Sequence, residues 1–110
     1  MPVATQAKVE ALSRDFRSQR RLADALGVSP AQVSRWIRGR GIDPVNAERV
    51  DVLELVMSAL LRLYSPTVVE RWLFGANPHL RDRRPIELVR AGRAQELLAA
   101  IAAERAGSFA

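Results

Sequence analysis

A chain of 110 residues, 48% hydrophobic and carrying a net charge of +5, can form one folded unit or two small subdomains sharing a core, and is too apolar to be a disordered tail. It has no cysteine, which excludes disulfides and thiolate chemistry and suits the cytosol. No stretch approaches the ~20 apolar residues of a membrane span, and the first residues lack a signal peptide's apolar run, so a cytoplasmic protein without a membrane partner is expected.

Val9, Leu12 and Phe16 recur at helical spacing and predict a first amphipathic helix near Thr5 to Phe16. From Gln19 to Arg40 the sequence QRRLADALGVSPAQVSRWIRGR has the layout of a helix-turn-helix. Ala23 lies mid-helix, where a crossing helix leaves no room for a larger side chain. Gly27 ends that helix, since positive φ is easiest without a Cβ. Ser29 is the N-cap of the next helix and Pro30 its first residue. Leu22, Leu26, Val28, Val33, Trp36 and Ile37 form the inward face.

The second helix of such a unit enters the DNA major groove. At 3.6 residues per turn, Ala31, Ser34, Arg35 and Arg38 fall opposite the inward face, with Gln32 at its edge. Arginine can fork onto guanine and alanine can meet a thymine methyl. Arg38 and Arg40, with Ser18, Gln19 and Arg20 at the start of the first helix, suit phosphate contacts. With Pro30 these make the candidate DNA-binding set. Charge supports it: from Arg14 to Arg40, seven arginines face two aspartates, a net +5, while the remaining ten basic and ten acidic residues balance. All of the excess charge therefore lies where a polyanion would meet it.

Gly39-Arg40-Gly41 breaks the chain, and Asp43-Pro44 restarts it as cap and first helical residue. The helix that follows, to about Tyr64, is apolar on two sides. Such a helix is wedged between subdomains or shared with a second protomer, and both are expected here, which makes it the candidate homodimer surface. Ser65-Pro66 opens a short helix through Val68, Val69 and Trp72, with Trp72 and Phe74 assigned to the core. Gly75-Ala76-Asn77-Pro78 is a turn, and Leu80 anchors the loop after it. Pro85 starts a helical turn carrying Ile86, Leu88 and Val89, which stops at Gly92. A last helix, about Arg93 to Arg105, carries Leu97, Leu98 and Ile101 and ends at Gly107. The expected fold is all-α: a helix-turn-helix bundle with a long central helix over residues 1–64, and a small helical domain over 65–110.

Nothing in the sequence assembles a catalytic centre. His79 stands alone in a loop, no second histidine or cysteine exists for a zinc site, and Glu87 and Glu96 lie on amphipathic helices. Gly39-x-Gly41 follows a helix and lacks the strand context of a phosphate loop. No catalytic residue, metal or cofactor is expected.

The second half carries an ordered series of landmarks: the Trp72-Leu73 helix end, Asn77-Pro78 with Leu80 two residues on, Arg84-Pro85 opening a helix, Leu88-Val89 then Gly92, and Leu97-Leu98 with Ile101. Gly107 followed by Phe109 completes it. The run from Arg71 to Ala110 resembles the toxin-binding domain of Xre/MbcA/ParS-type antitoxins, and with the Xre-like helix-turn-helix the resemblance covers the chain from about Gln19. What it implies is an antitoxin paired with a RES-domain toxin that consumes NAD or transfers ADP-ribose from it. By the same resemblance, the C-terminal region blocks the toxin's active-site cleft and the helix-turn-helix represses the operon. The candidate toxin contacts are then the plug Ala106, Gly107, Ser108, Phe109 and Ala110, together with Arg81, Arg83 and Arg84. A small terminal residue can enter a cleft, Phe109 supplies an apolar anchor, and arginine forks make good interface bonds. Two alternatives use the same residues differently. One is an ordinary dimeric repressor whose C-terminal half only dimerises or senses a ligand. The other is a protein-interaction module whose helix-turn-helix is vestigial.

Overall fold

The structure, a computed structural model, describes residues 2–107, with side chains described from Thr5 onward. It is all-α. The helices are α1 (Pro2–Asp15), α2 (Gln19–Leu26), α3 (Pro30–Ile37), α4 (Pro44–Leu60), α5 (Pro66–Phe74), α6 (Pro85–Arg90) and α7 (Ala94–Gly107), with a single 3-10 turn at Pro78–Leu80. Proline stands at the first position of α3, α4, α5 and α6 and of the 3-10 turn. There its missing N–H costs nothing and its fixed φ is already helical.

Local chemistry sets most of the boundaries. Asp43 caps α4 by accepting from the Asn46 N–H at 3.1 Å. The helix stops at Leu60 instead of running on to Tyr64, because Leu63 and Tyr64 both donate to the Leu60 carbonyl at 2.9 Å and close a tight turn. Ser65 precedes Pro66 and is extended (φ −68°, ψ 159°), as the proline ring requires. The first helix extends three residues upstream of the start expected from its apolar spacing.

The buried side chains form one cluster, from Val9, Leu12 and Phe16 of α1 through Leu53, Val56 and Met57 of α4 to Leu97 and Ile101 of α7. α4 is the common member. It packs against α1 and α2 and also against α6 and α7. Its apolar surplus is thus largely spent inside the chain: Val50, Val52, Leu53, Val56, Met57 and Leu60 are buried, while Val45 and Leu55 stay exposed at 59% and 44%. Phe74 departs from its expected core position. Val69 and Leu73, one turn apart, fill the inward stripe of α5, and Phe74 at the helix end is exposed, with Trp72 half-buried beside the core.

Candidate nucleic-acid and partner interfaces

The helix-turn-helix is built by caps at each helix end. Ser18 Oγ accepts from the Arg21 N–H at 3.2 Å and starts α2. Gly27 ends it in the left-handed region (φ 73°), which lets the Val28 N–H reach back to the Ala23 carbonyl at 3.0 Å. Two residues later Ser29 and Gln32 form a reciprocal box: Ser29 Oγ accepts from the Gln32 N–H at 3.2 Å, and Gln32 Oε1 accepts from the Ser29 N–H at 3.3 Å. Ala23, Leu22 and Leu26 are fully buried, and Val33 and Trp36 turn α3 onto them.

This packing leaves the opposite face of α3 open. Ala31, Arg35, Arg38 and Arg40 are exposed with Pro30, and Ser34 and Gln32 are half-buried. Gln19 and Arg20 are exposed at the start of α2. Among the described residues, no carboxylate pairs with Arg20, Arg35, Arg38 or Arg40. Two of the predicted groups are partly committed. The Ser18 hydroxyl and the Gln32 side-chain oxygen already serve as caps, which leaves the Gln32 amide NH2 as its free donor. Arg17 and Arg21 differ from the α3 arginines in lying 3.9 and 3.6 Å from Glu70 of α5.

In the C-terminal half, the Asn77-Pro78 landmark is a structural knot. Asn77 is buried, its Oδ1 accepts from the His79 N–H at 2.9 Å, and its backbone pairs with Arg83, Leu80 and Asp82. Arg81 and Asp82 adopt positive φ to turn the loop (58° and 62°). The three candidate arginines have different surroundings. Arg83 bonds inward, to the Leu80 carbonyl and at 2.8 Å to Glu96 of α7, whereas Arg84 pairs with Glu87 one turn on and Arg81 is exposed. The Arg83 bond holds the Glu96 carboxyl below the usual range. Ala106 and Gly107 are exposed at the end of α7, and Ser108, Phe109 and Ala110 lie outside the described residues.

A helix-turn-helix family profile matches residues 17–52, the segment from the loop before α2 into α4. The Mycobacterial cidal antitoxin MbcA of Mycobacterium tuberculosis, and that of Mycobacterium bovis, are 34% identical to this chain over 89 residues, 80% of this chain and 79% of theirs. The chain belongs to the MbcA antitoxin family. A chain of the crystal structure of the M. tuberculosis MbcT-MbcA toxin-antitoxin complex superposes with a TM-score of 0.78 at 29% identity, covering 96% of each chain.

In this MbcA-family antitoxin, one further pair of residues is not visible in the sequence pattern. Arg49 and Arg90 join α4, α6 and the end of α2, yet each stands in its helix like an ordinary surface arginine. Among the described residues, no group of three metal-ligating side chains lies together, and no helix is long and apolar enough to cross a membrane.

Proposed function

We propose that this antitoxin neutralises a RES-domain toxin, one that consumes NAD or transfers ADP-ribose, by covering its active-site cleft with residues of its 65–110 half. Its 1–64 half binds operator DNA and represses its own operon. The observation that carries the reading is the likeness along 96% of the chain to a chain of the MbcT-MbcA complex. On the toxin side, Ala106 and Gly107 lead into the plug Ser108-Phe109-Ala110, with Arg81 and Arg84 as outward contacts and Arg83 holding the loop on α7. On the DNA side, Arg35 with Ala31, Ser34 and Gln32 reads bases. Arg38, Arg40, Ser18, Gln19, Arg20 and Pro30 fix the register on the backbone.

A two-fold contact through α4 pairs two reading heads on half-sites one helical turn apart. Exposed Val45 and Leu55 supply apolar contact on that helix. Co-expression with the neighbouring reading frame, full-length and lacking Gly107–Ala110, tests the toxin side. Rescue of growth by the full chain, with a truncation that co-purifies but does not rescue, is the expected result. Failure of both forms to bind leaves the dimeric repressor as the function.

A further inference from the structure

Both helices of the reading unit end on carbonyls held by side chains from outside it. Gln6 of α1 donates Nε2 to the Ile37 carbonyl of α3 at 2.9 Å. The end of α2 is held by Arg90 of α6, which donates Nε to the Ala25 carbonyl at 3.2 Å and Nη2 to the Asp24 carbonyl. The guanidinium lies so close to the turn that a Cβ built on Gly27 would stand 3.3 Å from Arg90 Nε. Arg90 is itself seated. Its carbonyl accepts from Arg49 Nε at 3.0 Å, Arg49 Nη1 donates to Asn46 Oδ1 at 3.3 Å, and Asn46 Nδ2 donates to Asp43 Oδ1 at 2.8 Å. An unbroken series of bonds thus runs from the N-cap of α4, through α6, to the turn before the reading helix.

A cation at a helix C-terminus meets the partial negative charge of the unpaired carbonyls. Apolar packing between α2 and α6 is non-directional and tolerates a small rotation of α2 about its axis. A planar fork on two successive carbonyls does not. Resting on the DNA-binding reading above, we propose that Arg90, seated by Arg49, is a positioning residue for operator recognition. It sets the angle at which α2, and α3 packed on it, meet the groove, without touching DNA itself.

The test titrates the full-length protein onto a duplex covering the region upstream of its own reading frame, and onto a scrambled duplex of equal length, across a range of salt. Arg90→Met should weaken binding to the upstream duplex roughly 3- to 30-fold, the span of a coupling carried through packed elements. Binding to the scrambled duplex and the slope of affinity against salt should stay as in the wild type. Arg49→Met should move the same quantity in the same direction by less. Arg90→Lys keeps the charge and stem but not the fork, so it should restore the melting temperature without restoring the preference; it also serves if Arg90→Met does not fold. Unchanged preference in both Arg90 variants overturns the proposal. So does an equal loss on both duplexes with the salt slope reduced by about one, which would make Arg90 a phosphate contact. A wild type that shows no preference between the duplexes refutes the DNA reading itself, and the proposal with it.

Discussion

Replacing Gly27 by alanine should destabilise the protein by an amount the turn geometry determines. Gly27 holds φ 73° and ψ 34°, where a Cβ crowds the following carbonyl at a cost of about 1–2 kcal/mol. The added methyl would also meet Arg90 Nε at 3.3 Å and Cδ at 3.5 Å, contacts that a shift of a few tenths of an ångström relieves, smaller than would release the fork from its carbonyls. The backbone term therefore dominates. For a domain of this size, 1 kcal/mol moves the melting temperature by about 4–8 °C, so Gly27→Ala should melt roughly 4–16 °C below wild type. Circular dichroism melts at a fixed concentration measure it. Gly41→Ala is the matched control: Gly41 has no positive φ and nothing within 4 Å of the added carbon. It should be neutral or stabilising by up to ~1 kcal/mol. In an Arg90→Met background, Gly27→Ala should cost the same within about 0.5 kcal/mol. A shift of less than about 2 °C for Gly27→Ala would refute the strain argument, and a cost that vanishes without Arg90 would move it from backbone to clash.

Arg35→Ala should remove about 1–3 kcal/mol of specific DNA affinity and relax preference at one base pair, read by titration against single-substitution duplexes; equal losses on all of them would assign Arg35 to phosphate. Asp15 lies in the last turn of α1, where burial raises its carboxyl above the ordinary 3.8 and the helix's own carbonyls are already negative. A raised acid burdens the fold at neutral pH and is relieved as pH falls, so Asp15→Asn should raise the melting temperature at pH 7, with the gain shrinking in acid. Glu96 and Asp43 behave oppositely. The Arg83 bond holds Glu96 below 4.5 and the Asn46 side chain holds Asp43 below 3.8. What they contribute is complete above those values and is lost as pH falls through the lower folded ones, so melts recorded downward from pH 5 should fall less steeply in Glu96→Gln than in wild type.

The elements that were legible in sequence are those whose signals are local. Gly27, Ser29 and Pro30 lie within four residues and specify an end, a cap and a start, so α2, the turn and α3 follow from sequence alone. The same holds for Asp43-Pro44 and Arg84-Pro85. The exposed face of α3 was also legible, because helical period alone separates Arg35 and Arg38 from Val33 and Trp36. Phe74 was not, since apolar character cannot say which of Trp72, Leu73 and Phe74 turns inward when the helix ends among them. Arg90 was hidden for a different reason. Its partners lie 65 and 66 residues away, and an arginine in the last turn of a helix has an adequate local explanation without them. The inward bonding of Arg83 likewise depends on α7 returning to the Asn77 loop.

The packing of α4 against α1 and α2 as well as α6 and α7 has a consequence for how long each activity lasts. Clipping away α7 strips cover from α4, the same helix against which α1 and α2 are packed. A cut inside α7 therefore unsettles the proposed toxin-binding surface and the proposed DNA-binding head together. Under the proposed function, a protease that reaches into α7 ends both activities at once, whereas loss of Gly107–Ala110 alone ends inhibition and spares the head.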